Sequence, residues 1–296
     1  MATYAVEQID SVVLTGGPLA GMELMSPFVW KEGDRYRIMV RGVPQPPGPE
    51  VPTGVIASGE SGDGLNFVMD AQFAIVPTPG LHDAGGCEDP TVHVDPTAGY
   101  LVYYTGVDAA HAQGSMILAA GPSPGELMKQ ELVLKAPPGE GNIKEATLAP
   151  TASGDWRLFY EYAAEDASRI GVAHGDTPLG PWWALPDPFG VREDSWDNWH
   201  LSTGPMTMVE GRDPVMFYNG ATNDARWRIG WITFDREFIR VTGRGLEPLL
   251  VPPPPEIRAA TDIAFAASTV IEGDRIALYF SLEDRILRRA IVRYYE

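Results

Sequence analysis

Cysteine, long apolar runs and positive charge are all scarce in this sequence. The single cysteine among 296 residues excludes an internal disulfide and fits a reducing compartment. No apolar run approaches the roughly 20 residues of a membrane span, and residues 1–10 lack the basic and apolar regions of a secretory signal. Lys and Arg number 22 against 40 Asp and Glu, a net charge of −18, which would repel phosphates. We therefore expect a cytoplasmic protein that binds neither nucleic acid nor membrane.

Histidine is also scarce, and the five present show no H-x-x-x-H spacing. This pattern predicts no zinc site, and nothing else in the sequence calls for a metal or a cofactor. The lone Cys87 is open to two interpretations, a nucleophile or a small residue packed beneath a site. The second is favoured because the sequence places no base beside the thiol.

Glycine and proline, by contrast, are abundant, at 32 and 27 residues. A hydrophobic content of 44% excludes a disordered chain of low complexity. Gly and Pro interrupt nearly every window of 12 residues, and the short apolar stretches between them alternate and are rich in Val, Ile, Tyr, Phe and Trp. Such stretches bounded by turn residues are typical of strands, so the sequence predicts an all-β protein.

The strand pattern recurs five times, as a short apolar strand, a turn, an aromatic-rich strand and a third strand. The second strands begin at Tyr36, Tyr100, Trp156, Pro214 and Arg275, which gives steps of 64, 56, 58 and 61 residues. A period of about 60 residues with a hairpin in each unit is typical of propeller blades, whereas a two-sheet sandwich has no reason to repeat five times. We therefore predict one domain over residues 1–296, a five-bladed β-propeller with blades near 26–58, 89–120, 146–173, 204–233 and 262–292.

Polar residues recur near the ends of the first and second strands of these units, which in a propeller converge on a central channel. Carboxylates there could act as general acid and base around a glycosidic bond, Trp could stack on sugar rings, and Asn, Arg and Lys could bond hydroxyls. The pattern predicts an oligosaccharide site whose candidate residues are Arg41, Glu88, Asp89, Lys144, Glu145, Glu161, Trp199, His200, Asn219, Asp262 and Asp284.

The segment G-C-E-D-P at 86–90 resembles the G-x-E-D-P signature of glycoside hydrolase family 130, the β-mannoside phosphorylases and related mannosidases. Further segments are similar to motifs of that family in the same order along the chain. They are S-P at 26–27 with V-R-G at 40–42 (N-P-A and Y-R-A), 56–67 (A-x-S-x-D-G-x-x-F), K-E-A at 144–146 (K-D-A), 196–205 (W-x-x-x-K-x-G-x-G-P), Y-N-G at 218–220 (Y-H-G) and L-E-D at 282–284 (A-A-D).

The resemblance implies roles for three of the candidates. Asp89 would be the general acid, acting toward the scissile oxygen through a sugar hydroxyl, while Arg41 and Asp284 would hold hydroxyls of the sugar in the cleaved subsite. Two alternatives stay open from the residues themselves. Asp89 could only cap the start of a strand, because Asp-Pro is a common turn pair, and Asp284 could lie on the surface within a charged run.

Departures from the family pattern bear on the reaction. Where the family's phosphorylases carry an Arg for phosphate this chain has Glu161, and where they carry a His it has Asn219. Two like charges about 4 Å apart repel by about 4 kcal/mol at an effective dielectric constant of about 20, so Glu161 would disfavour phosphate. A carboxylate could instead activate water. We therefore hypothesise inverting hydrolysis with Glu161 as base and Glu145 as the second candidate; a structural ion pair of Glu161 with Arg157 or Arg169 is the alternative.

The expected function is thus a glycosidase for a β-mannoside or a related oligosaccharide, with a homo-oligomer left open. Inverting phosphorolysis stays an alternative, because Lys144, Arg169 and His200 remain as cationic candidates. A carbohydrate-binding propeller without catalysis is another, because several family positions are altered. The five-bladed arabinanases and fructosidases are disfavoured, since they carry an Asp at the first strand where this chain has Ser26.

Overall fold

The computed structural model describes residues 3–136 and 141–296, and this part of the chain forms β-strands and no helix. The prediction of an all-β protein is confirmed. No helix in these ranges is long and apolar enough to cross a membrane. The strands are β1 (Thr3–Ser11), β2 (Val13–Gly16), β3 (Met22–Glu32), β4 (Arg35–Pro44), β5 (Val55–Ser61), β6 (Asn66–Ile75), β7 (Gly86–Asp95), β8 (Gly99–Val107), β9 (Gly114–Gly121), β10 (Met128–Leu134), β11 (Gly141–Pro150), β12 (Trp156–Ala164), β13 (Ala167–Gly175), β14 (Trp183–Leu185), β15 (His200–Ser202), β16 (Met206–Thr207), β17 (Val215–Met216), β18 (Asn219–Ala221), β19 (Arg228–Ile229), β20 (Ile232–Phe234), β21 (Val241–Arg244), β22 (Ala264–Glu272), β23 (Arg275–Leu282) and β24 (Ile286–Tyr295).

Neighbouring strands form antiparallel sheets that follow the five predicted repeats. Repeat 1 has the order β2-β6-β5-β4-β3, in which only β2 and β6 run parallel. Repeat 2 is β10-β9-β8-β7 and repeat 3 is β11-β12-β13-β14. Repeat 5 is β1-β24-β23-β22, so the first strand of the chain pairs with the last.

Repeat 4 departs from the prediction, since each of its first three strands is split in two. Its sheets are β15-β18-β19 and β16-β17-β20-β21. Hydrogen bonds from Phe217 N to Pro205 O (3.1 Å) and from Gly230 N to Tyr218 O (2.9 Å) continue the ladder across the break. At the break the chains approach closely, because a Cβ on Gly204 would lie 1.8 Å from the Phe217 carbonyl oxygen.

Apolar residues fill the space between consecutive sheets in five clusters. Each cluster draws on two neighbouring repeats, and the fifth joins repeat 5 to repeat 1. Full burial of one large apolar side chain stabilises the fold by about 1.5–3 kcal/mol. Because each sheet lies between two clusters, both of its faces contribute to the stability of the fold. Representative members from the two sheets of each cluster are Val29 with Tyr279, Ile56 with Tyr104, Tyr103 with Leu158, Phe159 with Tyr218, and Phe217 with Leu278.

The first strands of the repeats also contact one another in turn. β3 contacts β7, β7 contacts β11, β11 contacts β16, β16 contacts β22, and β22 contacts β3. Residues near the starts of these strands, and near the ends of the antiparallel second strands, are therefore brought to one face of the molecule.

Candidate active site

Three first strands carry the same irregularity at this face. The pairing register shifts between Met25 and Phe28, between Glu88 and Thr91, and between Lys144 and Thr147. Such β-bulges re-aim a side chain and are frequent beside active sites. The residues in the left-handed backbone conformation at these bulges are Ser26 (φ 50°), Asp89 (φ 50°) and Glu145 (φ 51°).

The side chains of these three residues meet. Ser26 Oγ donates a hydrogen bond to Asp89 Oδ1 at 2.7 Å, and the carboxyl groups of Asp89 and Glu145 are hydrogen-bonded to each other. A left-handed backbone is costly for a residue other than glycine and is found most often at functional sites. Its recurrence at three positions that converge supports a shared functional role.

Arg41 and Lys144 neutralise the buried Glu88. Arg41 Nη2 lies 2.6 Å from Glu88 Oε1, and Lys144 Nζ lies 3.0 Å from Glu88 Oε2. Burial opposes ionisation of Glu88, but the two cations outweigh it and hold its pKa below the ordinary value. Arg41 Nη1 also reaches Asp89 Oδ1 at 3.3 Å. Glu88 thus holds two cations near Asp89. Asp89 itself is buried, with only 4% of its surface exposed.

Glu145 holds a proton more tightly than an ordinary carboxyl. Burial, followed by the nearby charges of Asp89 and Glu161, raises its pKa well above the usual value. Asp89 Oδ1 accepts hydrogen bonds from Ser26 and Arg41. Glu145 therefore keeps its proton at pH values where an ordinary glutamate is ionised, and the adjoining Asp89 carboxyl is the group to which that proton can pass.

Replacing Glu145 by Gln is expected to stabilise the protein as the pH rises. A raised pKa in the folded state means that the stability contributed by Glu145 is complete below its unfolded pKa and is lost as the pH rises through the folded one. Each pKa unit corresponds to about 1.4 kcal/mol, and each kcal/mol to roughly 2–4 °C in Tm for a chain of this size class. Thermal unfolding should show the Tm gain of Glu145→Gln growing from about pH 4.5 upward. A Tm difference that is independent of pH would contradict the assignment.

Glu161 lies at the end of β12, directly opposite Lys144 of β11 in the strand register. Its Oε1 accepts a hydrogen bond from Ser168 Oγ at 3.1 Å. Burial raises the pKa of Glu161, and the Ser168 hydroxyl and the charge of Lys144 partly offset this effect. The ionised form of Glu161 is therefore a stronger base than an ordinary carboxylate.

The alternative of a structural ion pair for Glu161 is wrong for the part of the chain described. Arg157 Nη1 bonds the Trp156 carbonyl and His174 Nδ1. Arg169 Nη1 bonds the carbonyls of Ser168 and Trp199. Neither guanidinium reaches the carboxylate.

Asp284 belongs to the same cluster and is not a surface residue of the charged run. It lies in the turn between β23 and β24 and is half-buried. Burial raises its pKa, while the charge of Arg41 lowers it and that of Asp89 raises it further.

His200 and Trp199 lie beside this cluster, on the side of Glu161. His200 Nδ1 accepts a hydrogen bond from Ser168 N at 3.1 Å, and its ring packs on Trp227 with centroids 5.4 Å apart. Burial, then Arg169, lowers the pKa of His200, so the neutral ring is favoured. Trp199 borders an open pocket of about 680 Å³.

Asp262 and Asn219, two other predicted sugar contacts, are engaged within the protein. Asp262 is paired with Arg226 at 2.9 Å and with Arg258 at 2.6 Å. Asn219 is completely buried, and its amide bonds the Thr203 and Ala266 carbonyls and the Ala266 N–H. Asn219 ties repeat 4 to repeat 5, so the structure gives it a structural position and no free group for a sugar.

Replacing Asn219 by Ala is therefore expected to affect stability and leave substrate affinity unchanged. The variant would leave the Ala266 N–H and the Thr203 carbonyl without partners, at a cost of about 1–3 kcal/mol. Thermal unfolding should show a lower Tm, and steady-state kinetics an unaltered KM. A raised KM with an unaltered Tm would instead show that Asn219 contacts the sugar.

The sequence missed Ser26 and Ser168 as site residues. Ser26 occupies the position in repeat 1 that Asp89 and Glu145 occupy in repeats 2 and 3, so aligning the repeats at these positions would have found it. Ser168 reaches Glu161 from the start of β13, and no sequence signal marks it. Cys87 is completely buried, and burial raises the pKa of its thiol, which agrees with a packed residue.

Of the comparisons with known proteins, only the one with solved structures found similar proteins. No model of a known protein family matches the sequence, and no curated protein sequence matches it. Among solved structures, the chain is similar to a β-1,2-mannobiose phosphorylase from Listeria innocua in complex with β-1,2-mannobiose, with 16% identity, coverage of 94% of this chain and 92% of that chain, and a TM-score of 0.75.

Two further structures are similar over comparable lengths. One comes from work on the glycoside hydrolase family 130 mannoside phosphorylases, a family said to contain glycoside hydrolases that target β-1,2-mannosidic linkages in Candida mannan (16% identity, coverage of 98% and 93%, TM-score 0.77). The other is a glycosyl hydrolase from Bacteroides ovatus (17% identity, coverage of 91% and 84%, TM-score 0.75). At such low identities the similarity shows a shared fold and nothing finer. The shared fold confirms the resemblance to glycoside hydrolase family 130 that the motifs predicted.

Proposed function

We propose that this protein is a glycosidase that hydrolyses a β-mannoside with inversion, using Asp89 as general acid and Glu161 as general base. The observation that carries the proposal is the cluster of Asp89, Glu145 and Glu161, in which Ser26 of repeat 1 bonds Asp89 of repeat 2, and burial together with the neighbouring carboxylates raises the pKa of Glu145 and Glu161 of repeat 3. Two carboxyl groups of opposite protonation state are what hydrolysis of a glycosidic bond requires.

The proposed architecture is a closed five-bladed β-propeller in one domain. Five apolar clusters join the sheets in a cycle, the first strands contact one another in the same cycle, and β1 completes the last sheet. In a closed ring of this kind the candidate residues border the mouth of the central channel.

In the proposed reaction the proton held by the Asp89–Glu145 pair leaves through Asp89 toward the oxygen of the scissile bond, by way of a sugar hydroxyl. As the bond from the anomeric carbon to that oxygen breaks, a water molecule attacks the anomeric carbon from the opposite face. Glu161 takes the proton of that water, held in position by Ser168 Oγ. Arg41 and Asp284 would bind hydroxyls of the sugar in the cleaved subsite.

Water is favoured over phosphate as the nucleophile by the charges around Glu161. Lys144, the cation opposite it, is engaged with Glu88 at 3.0 Å. Asn219, at the position of the family's His, has no free group. A phosphate in this place would face the Glu161 carboxylate, and Arg169, the arginine candidate nearby, has its Nη1 engaged by the Ser168 and Trp199 carbonyls.

The proposed substrate is a β-mannoside, and the similar structures suggest β-1,2-mannobiose as the first compound to test. The test is a panel of β-1,2-mannobiose, β-1,4-mannobiose and an aryl β-mannoside, each incubated with and without inorganic phosphate. Free mannose released at a rate independent of phosphate is the expected result. Mannose 1-phosphate formed only with phosphate would establish a phosphorylase, and binding without turnover that Asp89→Asn leaves unchanged would establish a binding protein.

A further inference from the structure

A pocket lies at Trp199, on the side of the cluster where Glu161 is found. It has a volume of about 680 Å³, within the usual range for ligand sites, and Trp199, Arg226 and Arg228 line it together with Asn198 and Asn223. Trp199 directly precedes His200.

The residue that follows Trp199 in the chain is linked to the base by hydrogen bonds through Ser168. His200 Nδ1 accepts from Ser168 N, and Ser168 Oγ donates to Glu161. Trp199 N bonds the Ala221 carbonyl, and its indole Nε1 donates a hydrogen bond to the Asp166 carbonyl at 3.4 Å. The segment 198–200 therefore contributes both to the lining of the pocket and to the surroundings of Glu161.

Although the protein is acidic, the pocket contains an arginine, Arg228, whose charge no carboxylate of the described residues pairs with. Arg228 is half-buried, and its Nη1 bonds only the Arg226 carbonyl. Arg226 contacts Asp262 through Nε. Within residues 3–136 and 141–296 no carboxylate lies at ion-pair distance from Arg228, although Glu193 and Asp224 border the same pocket.

The two neighbouring guanidinium groups repel each other. Burial, followed by the charge of Arg226, lowers the pKa of Arg228. An anion between them would relieve this repulsion, and Arg binds carboxylates and phosphates with paired hydrogen bonds.

We propose that this pocket is a subsite for a sugar unit carrying an anionic group, a carboxylate or a phosphate, with Trp199 packing on the sugar ring and Arg228 binding the anion. The proposal rests on the proposed function only in taking the ligand to be a saccharide. It implies that the natural substrate is an acidic oligosaccharide.

Direct binding measurements test the subsite without catalysis. Isothermal titration of the full chain with D-glucuronate, D-glucose 6-phosphate and D-glucose compares a carboxylate, a phosphate and a neutral sugar. At low salt at least one of the anionic sugars is expected to bind about tenfold more tightly than glucose, and which one does so identifies the source of the charge. Added salt should weaken this binding and leave that of glucose unchanged.

Variants separate the contributions of charge and ring. Arg228→Gln should bring the affinity for the anionic sugar down to that for glucose, while Arg240→Gln, at an exposed arginine remote from the pocket lining, should change nothing. Trp199→Ala should weaken the binding of all three sugars. Equal wild-type affinities for all three sugars, or an unaltered preference in Arg228→Gln, would overturn the subsite.

The outcomes distinguish the two proposals. A wild-type protein that hydrolyses neutral mannosides but shows no preference for anionic sugars overturns the subsite alone. A preference that depends on Arg228, in a protein that hydrolyses no mannoside, overturns the proposed function alone.

Discussion

Replacing Asp89 by Asn is expected to lower kcat by about 10²–10⁴-fold on a mannobiose, the usual contribution of a general acid. Asn can still accept a hydrogen bond from Ser26, so the bulge and the neighbouring side chains should keep their places. The loss should shrink on a β-mannoside whose leaving group is a weakly basic phenol, since such a group departs without full protonation. Steady-state kinetics on both substrates measure the difference.

Asp95→Asn is the matched control for this change. Asp95 lies at the other end of the same strand, in the turn to β8, where its carboxylate bonds the N–H groups of Thr97 and Ala98. Its replacement should leave kcat unchanged. Equal losses in the two variants, or a loss at Asp89 that ignores the leaving group, would remove Asp89 from the role of acid.

Replacing Glu161 by Gln is expected to lower kcat by a similar factor of about 10²–10⁴, because the attacking water then lacks a base. Since burial raises the pKa of Glu161, wild-type kcat/KM should fall as the pH drops through a value above the ordinary range for Glu, and the variant should lose this acid limb. Azide needs no base and should restore turnover of the variant by forming an α-mannosyl azide.

Glu165→Gln supplies the comparison for Glu161. Glu165 is exposed in the turn that follows β12 and is four residues from the proposed base. Its replacement should preserve both the rate and the pH profile. If Glu161→Gln keeps the acid limb while Glu145→Gln removes it, the base is Glu145.

Much of the fold could be predicted from the spacing of turn residues. Gly and Pro bound short apolar strands, and a period of about 60 residues located the strands of repeats 1, 2, 3 and 5. The split of repeat 4 could not be predicted. It arises where Gly204 lets two backbones approach more closely than any Cβ would allow, a long-range contact that local composition does not record.

The members of the central cluster could also be predicted, because they recur at matching positions of the repeats. Arg41, Glu88 and Asp89 meet as expected, as do Lys144 and Glu145. Asn219 shares such a position, yet its side chain turns to the backbone of repeat 5. Sequence defines the position in a repeat but not the rotamer, which depends on partners far along the chain. The unpaired Arg228 likewise became apparent only when its neighbours were known.

The configuration of the first sugar released tests the central claim most directly. Proton NMR of an aryl β-mannoside, or of β-1,2-mannobiose reduced to the alditol at its reducing end, can follow the anomeric signals in phosphate buffer before mutarotation, because mannose then comes only from the cleaved unit. Inverting hydrolysis by Asp89 and Glu161 predicts α-mannose as the first product, with no mannose 1-phosphate. Initial release of β-mannose, or accumulation of mannose 1-phosphate, would contradict it.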